Sequence, residues 1–304
     1  MIRIGALMAA SILAGSLSAR DIPQPATPVS VIVTVTGQQN QPAPQLTVDD
    51  VLVSQNKQHM QVTSLEPLRG QSGLQLWMLI DDGSGTNLGT QIADLKNFVL
   101  ALPATAQVGI GYMRNGMVQT AQPLTADHQL AAKAIRLPMG TPGISSSPYM
   151  ALTALIHKWS AGSAAREVLM VSSGVDPFYG AGPDNPYLQE AVDRAQRAGI
   201  VVYSIYYSGA GRWARGSLQL FWGQNYLAQL SDDTGGFLYW LGTVNPVSMA
   251  PYLDDLNHRL NGQYLVTFLA KPESKPGLQD VKIRTELPHI KLTAPSKVYV
   301  PAGQ

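Results

Sequence analysis

The 304-residue sequence contains no cysteine, which excludes disulfides and a lipidated cysteine behind a leader peptide. Charge is scarce too. Charged residues make up 13% of the chain, with 21 Lys plus Arg against 20 acids, so the basic footprint of a nucleic-acid binder and the basic stripe suited to an anionic membrane are both missing. The five histidines, at 59, 128, 157, 258 and 289, are scattered with no pair at ligand spacing. Beyond the N-terminus no apolar run is long enough to span a bilayer. What is present is ample apolar content, enough for one large domain and a smaller companion.

The start of the chain, Met1-Ile-Arg3 followed by an apolar run to Ala14 and then Gly-Ser-Leu-Ser-Ala19, has a positive end, a short apolar core and small residues. It reads as a cleaved secretory signal over residues 1–19. Pro23, Pro25 and Pro28 follow at once and would isolate a helix here from any sheet. A secreted or periplasmic protein without an integral membrane segment after signal removal is the expectation.

Residues 20–70 read as an N-terminal β segment. Val29–Thr36 alternates and is rich in β-branched residues, predicting a strand with one polar face, and two short strands flank a polar tip at 55–58. From 71 to 262 strands and helices alternate. Apolar strands are expected at 75–81, 106–113, 167–172, 200–206 and 236–240. Helices are expected from 88 to 102, from a cap at Thr125 to Arg136, from Ser147-Pro148, from Asn185-Pro186 to Gly199, from about Gln224, and over 249–260. Asn115-Gly116 predicts a tight hairpin, which makes the strand at 117–121 antiparallel. The fold class is therefore α/β, a Rossmann-like doubly wound, mostly parallel sheet with one antiparallel edge strand. Residues 263–304 return to β patterning. Neither terminal β segment has enough strands to stand alone, so 29–69 and 263–300 are expected to pair into a β-sandwich-like domain.

The stretch Gln75–Thr86 organises this pattern. An apolar strand ends in Asp81-Asp82, followed by Gly83-Ser84-Gly85-Thr86. Ligands of such sheets sit beyond the carboxyl ends of the strands, and one carboxylate with two hydroxyls at alternate positions makes an all-oxygen set for a hard cation. Strand alternation turns Asp81 away from Asp82. The same residues would equally serve as a helix cap. Gly83–Gly89 is a weak match to a dinucleotide loop, made weaker by two acids beside the phosphate position. Ser84 lacks the glycine spacing of a hydrolase nucleophile. An enzyme is not expected.

Together, the strand, the acidic pair, the Gly-x-Gly spacing and the hairpin resemble the von Willebrand factor type A family, specifically the secreted bacterial VWFA-related domain proteins, over nearly all of the mature chain. The family's Asp-x-Ser-x-Ser motif corresponds to Asp82-Gly-Ser84-Gly-Thr86. The resemblance implies a metal-ion-dependent adhesion site binding Mg2+, Mn2+ or Ca2+. Asp82, Ser84 and Thr86 would be ligands, with Ser146 in the place of the family's second-loop threonine and Thr141 as a rival. The third loop, where the family has Thr-Asp-Gly, reads Ser172-Ser173-Gly174. A hydroxyl there leaves more of the ion's charge unbalanced, for which Asp81 or Asp176 would compensate, Asp81 being expected to face away and Asp176 to reach inward or act through water. The implied function is protein binding or adhesion, a partner carboxylate completing the ion's shell. The alternative is a metal-free structural or assembly module on the same fold. Trp213, Arg215 and Trp222, in an aromatic and arginine-rich loop at 207–222, are expected either to meet a partner or to lie as a lid over the sheet edge.

Overall fold

A computed structural model of the chain describes residues 26–37, 45–68, 73–83, 86–140, 147–162, 164–208, 217–242 and 246–302. The expected signal, Ser84, Thr141, Ser146, Trp213 and Arg215 lie outside the described residues, as does the side chain of Thr86.

The chain opens with strand β1 (Thr27–Gly37), then β2 (Leu52–Gln55), β3 (Gln58–Met60) and β4 (Val62–Pro67). Next come β5 (Leu74–Asp81), α1 (Ile92–Ala101), β6 (Gln107–Arg114), β7 (Met117–Thr125), α2 (His128–Ala134), α3 (Pro148–Lys158), β8 (Ala165–Ser172), α4 (Pro186–Ala198), β9 (Ile200–Tyr206), α5 (Ser217–Thr234), β10 (Leu238–Trp240) and α6 (Ala250–Asn261). Strands β11 (Gln263–Ala270), β12 (Gly277–Arg284), β13 (Ile290–Thr293) and β14 (Lys297–Val300) complete it.

The central sheet has six strands in the order β10-β9-β8-β5-β6-β7. All of its pairings are parallel except β6–β7, which Asn115 and Gly116 join with φ angles of 50° and 70°. The order reverses between β5 and β8, and this switch point is where a crevice opens beyond the strand ends. Helices α3, α4 and α5 cover one face around Trp77, Met170, Leu188 and Leu227. The other face is covered by α1, α2 and α6 around Leu76, Leu95, Ile110 and Leu256.

The termini form the second body. β1 pairs antiparallel with β11 and β13, while β12 pairs with β2 and β14. Two four-stranded sheets result, packed over Val31, Val33, Val53, Phe268 and Ile283. The face of β1 expected to be polar is in fact the seam with the α/β body: Ile32 joins the core of the central sheet and Thr34 is 1% exposed. Alternation marks two environments but does not say that the polar one is wet. Among the described residues no helix is long and apolar enough to cross a membrane.

Several boundaries differ from expectation, among them the end of β7, which runs on to Thr125. Asp127, not Thr125, caps α2, because its side chain accepts the Leu130 amide while the Thr125 hydroxyl accepts that of Asp127. The strand expected across 291–300 is two strands separated around Pro295. Helix α5 starts at Ser217 and runs straight through Gly223, so Trp222 stands on a helix and not on a loop. Gly223 is there for proximity: a Cβ would lie 2.4 Å from the Ser173 carbonyl oxygen.

Candidate functional site

Asp81 and Asp82 end β5 and are both buried. Alternation sends their carboxylates different ways, and it is Asp81 that turns toward the third loop. Its Oδ2 accepts from the Ser172 hydroxyl at 3.3 Å and its Oδ1 from the Gly83 amide at 2.9 Å. Asp82 faces the segment after α2. Arg136 Nη1 donates to Asp82 Oδ1 at 2.8 Å and Nη2 reaches Oδ2 at 3.4 Å, while the Met139 amide donates to Oδ1 at 3.0 Å. The Gly140 amide donates to the Asp82 carbonyl at 2.9 Å. Residues 136–140 are thus tied to the end of β5 through one aspartate.

Arg136 is itself held. Its guanidinium carbon lies 3.7 Å from the centre of the Tyr112 ring, its amide donates to the Tyr112 hydroxyl at 2.6 Å, and that hydroxyl donates to the Arg136 carbonyl at 2.8 Å. Burial pushes the Tyr112 hydroxyl above its ordinary pKa, with the pull of Arg136 opposing. The loop that Asp82 anchors turns Leu137 and Met139 outward, 45% and 58% exposed.

Asp176 lies fully buried where two helices begin. Its Oδ2 accepts from the Ser147 hydroxyl at 3.1 Å and from Asn185 Nδ2 at 3.4 Å, and its Oδ1 from the Phe178 amide at 2.9 Å. Ser147 and Asn185 are the N-caps of α3 and α4. Each cap therefore uses one oxygen for its own helix and one donor for Asp176. Beside them Tyr149 donates to the Gly174 carbonyl at 2.7 Å. Burial raises its pKa well above the ordinary value, the charge of Asp176 adding to this, so it stays a neutral donor.

The third loop is closed from above. Gly174, at φ 69°, meets Gly223 of α5 so closely that a Cβ on it would lie 2.1 Å from the Gly223 carbonyl oxygen. Ser173 is 2% exposed and its hydroxyl accepts the Val175 amide. The Ser172 hydroxyl accepts the Gly174 amide while donating to Asp81.

Of the expected ligands, then, Asp82, Ser173 and Asp176 are described, and each oxygen is engaged by a protein donor. A divalent cation on Asp82 would face the Arg136 guanidinium at ion-pair distance. The described residues do not fit a divalent cation at Asp82, and among them no group of three His, Cys, Asp or Glu side chains is arranged to hold one. Trp222 stacks on Tyr226, ring centres 5.8 Å apart, and packs partly buried against the core under α3 to α5.

No protein-family model matches the sequence, and no curated protein matches it. Similar solved structures include an aerotolerance-related membrane protein from Bacteroides fragilis NCTC 9343 with multiple mutations to serines, 12% identical, covering 62% of this chain and 99% of that one at a TM-score of 0.47. The SpRpn10 VWA domain is 13% identical over 60% of this chain and 93% of its own, TM-score 0.39. The ArnB paralog VWA2 from Sulfolobus acidocaldarius is 11% identical over 90% and 76%, TM-score 0.39. The α/β body has the von Willebrand factor A fold, a statement that rests on its strand order and single antiparallel edge.

Proposed function

We propose that the chain is a non-catalytic protein-interaction module that keeps the frame of a metal-ion-dependent adhesion site but balances its aspartate internally. The observation that carries this reading is the Asp82–Arg136 pair, with the Met139 amide on the same oxygen. A guanidinium fixed on an aromatic face takes the place of an ion, and Asp82 becomes the anchor of the 136–140 loop. Leu137 and Met139, exposed beside the sheet's carboxyl edge, are then the partner-facing side chains, with Trp213 and Arg215 as a second contact. The leader-like sequence at 1–19 supports action outside the cytoplasm.

The second reading is a magnesium-bridged adhesion module, favoured by the sequence Asp82-Gly83-Ser84-Gly85-Thr86. Calorimetric titration of magnesium and manganese into the purified protein separates the two. Internal balance predicts no saturable heat for the natural protein at millimolar metal. Saturable binding that disappears in Asp82→Ala would favour the bridged reading instead.

A further inference from the structure

Glu167, the third residue of β8, has no exposed surface. Its flanking partners in register are Leu76 on β5 and Val201 on β9, and both belong to the apolar core on the side where the β-sandwich docks. Neither carboxyl oxygen has a partner in hydrogen-bonding geometry.

The polar groups around it belong to both bodies. From β9 comes Tyr203, whose hydroxyl accepts from Gln263 Nε2 of β11 at 3.0 Å and lies 3.4 Å from the Thr34 hydroxyl of β1. On the far side of Tyr203, Arg259 of α6 is committed to Asp255 at 2.6 Å and seated over the Phe237 ring at 4.0 Å. Tyr239 of β10 also donates to Asp255. Thr34 and Gln263 carry no charge, and Arg259 is engaged elsewhere, so no cation compensates Glu167. Gln263 of the sandwich and Tyr203 of the central sheet thus meet beside one carboxyl group that is tolerable only while neutral.

We propose that Glu167 is a pH-sensitive latch of the seam: neutral, it lets β1 and β11 lie against the central sheet, and ionised, it loosens that contact. Burial lifts the carboxyl from its ordinary 4.5 to about 8, with a smaller opposing pull from the Gln263 side chain. The sign follows from linkage. Below 4.5 the group is protonated folded and unfolded, and its contribution to stability is complete; between 4.5 and 8 only the folded state holds the proton. There the folding constant falls by up to about tenfold per pH unit, and above the folded value the loss is full.

The test compares the natural protein with Glu167→Gln, which keeps the shape and removes the titration. Urea midpoints are measured from pH 5 to 10 and amide exchange is followed in β1 and β11. The difference between the two proteins is expected to widen up to about pH 8 and then level, the histidines cancelling because both proteins carry them. Protection of β1 and β11 amides, relative to the intrinsic exchange rate at each pH, should fall in the natural protein ahead of that in β5, and not in the variant. Infrared difference spectra of the natural protein between pH 6 and 10 supply a readout that needs no variant, through loss of the carbonyl band of a neutral carboxylic acid. A pH-independent difference, or equal loosening in both proteins, would overturn the proposal, as would a band already absent at pH 6.

Discussion

The carboxyl edge of the sheet and the seam beneath the sandwich both bury acids, and treat them in opposite ways. At the edge Asp82 meets a guanidinium and an amide, and Asp176 meets a hydroxyl, a side-chain amide and a backbone amide. At the seam Glu167 sits between Leu76 and Val201 with only the uncharged Gln263 and Tyr203 side chains beside it. The edge can preset donors because strand ends and helix beginnings leave backbone amides free there, whereas mid-strand amides of β8 are all committed to the ladder with β5 and β9. An acid at the edge can be a fixed structural member, while the same chemistry at mid-strand is a titrating one.

Breaking the edge should show how far its acids depend on their donors. Arg136→Ala removes the cation beside the buried Asp82; with the Arg136 side chain 36% exposed, water reaches the site, and a loss of about 1–3 kcal/mol of unfolding free energy is expected, read from denaturant midpoints. Asp176→Ala strips the partner from the Ser147 hydroxyl and the Asn185 amide together; a loss of about 1–3 kcal/mol is expected, with amide exchange rising in the first turns of both α3 and α4. Ser147→Ala should cost about 1 kcal/mol and disturb α3 alone. At the far end of the scale, the exposed Arg194–Glu190 pair on α4 should give less than about 0.5 kcal/mol on Glu190→Gln. That ordering, from a buried acid with its cation down to a surface pair, is what the edge comparison requires.

The sequence carried much of this frame because the signals were local. Asn115-Gly116 implied the antiparallel edge strand, Ser147-Pro148 and Asn185-Pro186 marked two helix starts, and Gly199 closed α4 in the left-handed conformation. What it did not carry was contact at a distance. Arg136 lies 54 residues from Asp82, at the end of a helix where arginine is unremarkable by composition, and no spacing rule pairs the two. The helix expected from about Gln224 starts at Ser217 and runs through Gly223, whose reason is the backbone of the third loop packed against it. Glu167 read as an ordinary edge of an apolar run, since nothing local tells that the sandwich covers it. The Asp82 motif lies within five residues and was legible, while its arginine partner does not and was not.

A double-mutant cycle on Asp82→Asn and Arg136→Gln, measured by denaturant unfolding with and without magnesium, tests the central claim most directly. Internal balance predicts a coupling of at least about 2 kcal/mol that magnesium leaves unchanged. A coupling near zero, together with magnesium stabilising the natural protein but not Asp82→Asn, would contradict it.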